Sequence, residues 1–480
     1  MEVRTKRNFI LFFLLITGMV FSIPYIFSIV FQLSYDSLID SAENSGFIVL
    51  SNDYSMGYLS STASTQLALV PHESKYNPNK HDVIKLDTVI SHSPFTDYLE
   101  YGHGVAFSKT KILINDHQLS PATPMPLTAF IGFDSKPKIL LDIPKDNISL
   151  LGGTFEILLE DFFIYYDEAY MTDKSVLRYG STLMNLQVNE WTFSLLDISG
   201  SIFKDNNDDL LPFDSAVSNI KKFSLLNQIL NNPLDIEDLE FVAETNNVSD
   251  KLSGSITISL EKLDHLDQMI GPVKTGIMFN SFNLKPLKKL KESMLSLYER
   301  NKSDPVALEK LVSKNISVHV PKILAGNPSL SILPTVLSLP DGDINFKIDA
   351  SFVDLIPNDF KKKTALKKLR IKSDTSISKK ILYETIAQQL YKYIYQTTMT
   401  DGSFAVGNVS AYKTKALEGA TTAIDRYISG GYLVENDDNY AVKFTLDNDK
   451  FSLNSIQNID IKELANEELI SQMMAFLKKA

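Results

Sequence analysis

The chain has 480 residues, is 44% hydrophobic and 22% charged, and carries a formal net charge of −11. That balance belongs to a folded globular protein with room for two or three domains of about 100 to 200 residues, and the acidic excess argues against nucleic acid as the main partner, since phosphate binding needs a basic surface. The absence of cysteine excludes disulfides, thiolate metal sites, iron–sulfur clusters and cysteine nucleophiles.

Arg4, Lys6 and Arg7 stand directly before Phe9 to Phe31, a mostly apolar run, and no further Lys or Arg occurs until Lys75. A helix over that run would be roughly 35 Å long, enough for a hydrocarbon core of about 30 Å, and its basic end should stay cytoplasmic. The run exceeds the about 7 to 15 apolar residues of a secretory signal and contains no alanine, so an uncleaved anchor is expected. Pro24 would kink it. The expected layout is a cytoplasmic tail over 1–8, a transmembrane helix over 9–33, a β-rich region over 34–270 and an α+β region over 271–480.

From Gly46 to about Ser201 the pattern is mainly period two, as in Gly104 to Ile114 and Lys138 to Ile143, with turn clusters at Pro71 to Asn79 and Ser120 to Pro126. This predicts an antiparallel meander of long strands. A second β-rich region, Trp191 to Leu260, is expected to be interrupted by the loop Asp205 to Asp209 and a helix near Ala216 to Leu230. Leu287, Leu290, Met294 and Leu297 then recur at helical spacing, and a second helix over Asp304 to Asn315 is expected before a strand Ile316 to Val320. Leu339 to Asp343 reads as a turn into the strand Ile344 to Ala350. Helices are expected with Ser378 or Ser376 as the cap and running to about Tyr395, and over Tyr412 to Ile428, the latter stopped by Gly430-Gly431. Tyr440 to Leu446 and Lys450 to Asn454 read as a hairpin, and a short helix is expected from Lys462. The fold class expected is therefore α+β, with an N-terminal transmembrane helix followed by a large, mostly antiparallel β-rich ectodomain and several amphipathic helices.

Chemistry-bearing motifs are few. His72, His81, His92, His103 and His117 lie close in sequence, but no pair has H-x-H or H-E-x-x-H spacing. Asp205, Asn207 and Asp209 begin like a calcium loop, yet Leu210 replaces its glycine and Ala216 its final glutamate. Gly102-His103-Gly104 has Phe107 where a dinucleotide loop needs its third glycine. No catalytic, cofactor or metal site is expected. Lys361, Lys362, Lys363, Lys367, Lys368, Arg370 and Lys372 form a basic run interleaved with Leu366, Leu369 and Ile371, a candidate contact for anionic lipid or an acidic partner.

Asp53 to Ala63, with Tyr54, Gly57 and Ser60, resembles the early signature of the YdgA-like family of bacterial envelope proteins, built on a domain of unknown function. Ile90 to Pro94, with His92 and Pro94, is similar to a family turn, as is Leu339 to Asp343, with Pro340 and Gly342. Tyr440 and the segment containing Leu453 and Asn454 match the family's C-terminal hairpin. Ser93 and Asp341 depart from the pattern. The resemblance implies a bacterial inner-membrane protein with its bulk in the periplasm and no established chemistry. The expected function is a non-enzymatic binding module for lipid-like or envelope ligands. The alternatives are a structural or assembly factor acting through protein contacts, including as a homodimer, and an enzyme with a convergent site.

Overall fold

The computed structural model describes residues 28–29, 31–33, 35–36, 39, 42, 47–69, 82–92, 104–132, 136–150, 153–169, 174–205, 213–229, 232–265, 268–301, 305–362, 364–400, 409–448, 450–454 and 456–460. The chain divides into two units, 1–239 and 240–480.

The first unit is an antiparallel meander of β1 (Phe47–Ser55), β2 (Ser60–Leu69), β3 (Val83–Ser91), β4 (Gly104–Ile114), β5 (His117–Gln118), β6 (Leu127–Gly132), β7 (Pro137–Leu150), β8 (Phe155–Ala169), β9 (Lys174–Val188), β10 (Trp191–Asp205) and β11 (Ser215–Asn227), entering β12 (Asn232–Val248). Two-residue turns set the register. Asn115 and Asp116 both take positive φ between Ile114 and His117, and Asn189 does so between Val188 and Trp191, as tight hairpins require. One row of directly paired residues crosses ten strands: Tyr54, Ala63, Thr88, Thr110, Leu127, Leu141, Ile164, Tyr179, Gly200 and Ser218. Paired residues share a face, so this row marks one continuous side of the sheet.

That side stays apolar because the pleat inverts along a line. In a regular strand, residues an odd number apart face opposite ways. Leu159 and Phe162 nevertheless belong to one hydrophobic cluster, as do Ile143 and Ile148. Asp161 lies between the first two at φ 47°, and Asp197 takes φ 48° on β10. The register across β7 to β11 is the same on either side of this line, with Leu159 opposite Met184, Met184 opposite Leu195 and Leu195 opposite Phe223 before it, and Ile198 opposite Ile220 beyond it. Each left-handed aspartate thus reverses the alternation without shifting the pairing, and the apolar set remains on one face. Asp238 also takes φ 50°, between Ile236 and Leu239 on β12.

The second unit contains β13 (Lys251–Leu260), β14 (Lys262–His265), β15 (Gln268–Ile270), β16 (Val273–Asn283), helices α1 (Leu284–Asn301) and α2 (Pro305–Ile323), β17 (Ser329–Leu339), β18 (Gly342–Phe352), α3 (Pro357–Lys361), β19 (Leu369–Ser378), α4 (Lys379–Thr400), α5 (Val409–Ser429), β20 (Val434–Glu435), β21 (Asn439–Asp447), β22 (Lys450–Leu453) and β23 (Ile456–Asp460). β13, β16, β17, β18, β19 and β21 pair in that order, all antiparallel. Tyr412, Ala416, Ala420 and Ile424 are buried at four-residue spacing on α5, which packs along α4.

Three expectations are corrected. The α+β class headed by a transmembrane helix gives way to a mostly antiparallel β architecture. Among the described residues no helix is long and apolar enough to cross a membrane. Most of Phe9 to Phe31 lies outside the described residues; at its end Ser28 and Phe31 are buried against the sheet, while Ile29 is exposed. The helix expected near Ala216 to Leu230 is strand β11, paired with β10 from Ser215 to Asn227. The strand expected over Ile316 to Val320 continues α2, which runs through Pro321 and packs on α1, where Asn315 Nδ2 donates to Ser293 Oγ at 2.6 Å. Helix pairing here outweighs the preference of Ile316, Val318 and Val320 for strand. The helix expected from Lys462 and the cluster Pro71 to Asn79 lie outside the described residues.

Candidate functional site

The first two motif segments converge. Gly57 sits in the β1–β2 connection and its N–H donates to Ser61 Oγ at 3.2 Å; Ser61 Oγ also lies 2.7 Å from His92 Nε2 and 3.1 Å from Ser28 Oγ. The His92 N–H donates to Leu59 O at 2.8 Å. Ser28, Ser61 and His92 are all essentially inaccessible. The Tyr54 hydroxyl donates to Ser28 O at 3.4 Å, and its ring sits 6.1 Å from that of Tyr35. The Tyr35 hydroxyl meets Thr65 Oγ1 at 2.6 Å, and burial pushes its pKa up. Burial pushes the His92 imidazole down. Ser60 opens β2, while Pro94 lies outside the described residues. Sequence reasoning singled out neither Ser28 nor Ser61 as a partner of His92.

The later motif residues bracket turns. Pro340 and Gly342 join β17 to β18; Gly342 takes φ 129°, and a Cβ there would meet Ser378 Oγ at 2.4 Å. The Ser378 hydroxyl donates to Asp341 O at 2.9 Å, and Lys380 pairs with the Asp341 carboxylate. Tyr440 pairs with Ile377 under the Lys379 ammonium. Leu453 is buried opposite Phe444, and Asn454 Nδ2 donates to Tyr432 O at 2.7 Å while its Oδ1 accepts from Lys443 N.

The basic run is partly neutralised by its neighbours. Lys368 Nζ lies 2.8 Å from Asp359 Oδ2, Arg370 Nε lies 3.0 Å from Asp447 Oδ1, and Lys372 acts on Asp349. Lys361 and Lys362 are exposed at the end of α3, Lys367 is exposed in the turn that follows, and Lys363 lies outside the described residues. Lys368 holds the Asp359 carboxyl below the usual range, helped by the Ile356 N–H and the Thr364 hydroxyl. A depressed carboxyl stabilises the fold above its unfolded pKa and loses that contribution as pH falls through the folded value. Lys368→Met should therefore flatten the acid limb of the unfolding profile relative to wild type; identical acid limbs would count against this pairing.

The largest uncommitted feature is the apolar face of the first unit. Toward β7 it is closed: Ile112, Leu119, Ile143, Ile148 and Leu159 form a buried cluster. Across β9 to β11 it opens. Leu186, Phe193 and Leu225 form one row and Met184, Leu195 and Phe223 the next, all half-buried, and Trp191 at the edge is 41% exposed. The opposite side carries Asn185, Ser194, Ser224 and the Lys145–Glu160 pair, interspersed with Leu158, Leu183 and Leu196. In the second unit Ile256, Ile277 and Leu330 are likewise exposed on neighbouring strands. A smaller concavity of about 390 Å³ on the first unit is lined by Asp53, Thr62, Ser64, Asp87, Val89 and Met125; there Asp87 accepts from Ser64 Oγ and pairs with Lys85.

No curated protein and no solved structure gave a match. One family model, described as a bacterial protein of unknown function, covers residues 7–457, nearly the whole chain. The chain belongs to that bacterial family, DUF945.

Proposed function

We propose that the chain is a non-enzymatic binding module for a lipid-like ligand of the bacterial envelope, and that the half-buried face over β9, β10 and β11 is where the ligand lies. The observation that carries this reading is the face itself. Its rows of Leu, Met and Phe side chains remain partly in water although the pleat inversion keeps them together on one side. Contiguous exposed apolar surface is costly unless a ligand or partner covers it. Full burial of an exposed side chain of this size contributes about 1.5–3 kcal/mol, so each of these half-buried ones gains roughly half of that when a ligand covers it.

Native mass spectrometry and mild lipid extraction of the purified full chain test the proposal. Co-purifying lipid is expected, together with micromolar or tighter binding of a fluorescent long-chain acyl probe. Phe193→Glu with Leu225→Glu should weaken the probe by at least about tenfold, the consequence of losing both half-buried side chains together. Recovery of no lipid and no probe binding would sink the proposal. Probe binding untouched by the double variant would remove the site assignment. Saturable self-association at this face, with no lipid, would instead favour the assembly-factor reading.

A further inference from the structure

We propose that His92 is an acid-operated latch that holds the helical residues Ser28, Phe31, Tyr35 and Ile39 over one end of the apolar face and lets them go when its ring is protonated. Phe31 and Tyr35 are buried with Ala63, Ile90 and Ala106, and Ile39 packs against them. Ala63 stands in the same cross-sheet row as Tyr179 and Gly200. The helical residues therefore cover the near end of the very face whose far end is half open. For the ligand, the consequence rests on the binding reading above; the latch itself does not.

The chemistry lies in how the contact is made. Ser61 Oγ joins helix to sheet through Ser28 Oγ and His92 Nε2, while His92 Nδ1 is buried with no hydrogen-bond partner among the described residues. A neutral imidazole tolerates this, since one ring nitrogen is all that Ser61 engages. An imidazolium would carry a second N–H and a full charge into a site closed by the Phe31 ring, which meets the imidazole edge-on with ring centroids 6.3 Å apart. Among the described residues no acidic side chain lies within hydrogen-bond reach of the ring to compensate that charge. Among the described residues, the ionisable groups on the packed elements are Tyr35 and Asp36 in the helical segment, Asp53 and Tyr54 on β1, Tyr58 in the β1–β2 connection, Lys85 and Asp87 on β3, and Lys109 and Lys111 on β4. Tyr35 is committed to Thr65, Tyr54 to Ser28 O, and Asp87 to Ser64 and Lys85; burial alone shifts His92.

The direction follows from linkage. The latched state holds the ring's proton affinity below its ordinary value of 6.5, so the released state binds more protons. Latching is complete above that pH and weakens as pH falls, by up to about tenfold per pH unit.

Hydrogen exchange of the full chain, expressed as protection factors between about pH 7.5 and about pH 5.5, tests this. Protection of the peptide containing Ser28 to Ile39 should fall by up to about tenfold per unit below about pH 6.5, with β8 to β10 unchanged. His92→Gln, which keeps a neutral hydrogen-bonding group, should abolish the pH dependence. Constant protection in wild type, or an equally steep fall in His92→Gln, would overturn the latch. Should that variant fail to fold, the wild-type profile against β8 to β10 decides alone. Acyl-probe binding in the same samples separates the two readings: pH-dependent protection without probe binding overturns only the binding face, and probe binding with flat protection overturns only the latch.

Discussion

Gly57→Val is expected to destabilise the full chain by about 3 kcal/mol, and Gly57→Ala by nearly as much. The argument is one of space. A Cβ built on Gly57 would lie 2.0 Å from the Ser60 backbone oxygen, and a backbone atom cannot swing aside as a side chain can. The β1–β2 connection would have to shift where Gly57 N–H donates to Ser61 Oγ, so one partly buried hydrogen bond, about 1 kcal/mol, is lost with the overpacking strain. Because Ser61 also holds His92 and Ser28, the disturbance spreads to the helical residues packed on the sheet. Thermal unfolding of both variants, with the exposed neighbour Met56→Val as control, checks this. A wild-type melting temperature for Gly57→Ala would show that the connection relaxes freely.

The combined variant Asp161→Val and Asp197→Val is expected to lose about 3 kcal/mol, whereas the matching glycine pair should stay within about 1 kcal/mol of wild type. A left-handed backbone costs an ordinary L-residue about 1–2 kcal/mol, aspartate less through local hydrogen bonding, and a β-branched residue most. The Asp161 carboxylate accepts a cross-strand bond, from Thr182 Oγ1 at 3.0 Å in an exposed setting. Were valine to escape into the extended region, the alternation would not reverse, and residues beyond the line, Phe162 and Ile198 among them, would turn to the polar side. Either route is costly, and glycine avoids both. Denaturant unfolding together with acyl-probe binding reads the result. Glycine variants as unstable as the valine pair would show that the aspartate side chains, and not the backbone conformation, hold the face together.

These two predictions also mark where sequence pattern misleads. Ala216, Ile220 and Phe223 stand four and three apart, the spacing of a helix face, yet they lie in strand β11. Ile220 and Phe223 share a face because the pleat inverts between them, in step with Asp197 on the neighbouring strand. Local periodicity cannot distinguish that inversion from a helical turn; only pairing with β10 does so. The same holds for Ile316 to Val320, alternating and β-branched, which follow α2 because α1 packs alongside.

By itself the sequence determined much that depends on neighbours within a turn or two of chain. Leu287, Leu290, Met294 and Leu297 mark α1, Leu382 and Ile386 mark α4, Gly430 ends α5, and the alternation around Asp447 makes the β21–β22 hairpin. The basic run, too, is legible as a run, although only the fold pairs Lys368 with Asp359 and Arg370 with Asp447, 77 residues away. Tertiary structure alone decided that Ser28 and Phe31 turn from a lipid-like run into the protein, that Ser61 meets His92 across 31 residues, and that apolar side chains from β7 to β11 share one face. The physical reason is common to all three: the partner that makes each arrangement favourable is supplied by a strand or helix distant in the chain, and its energy is gained only when the sheet has formed.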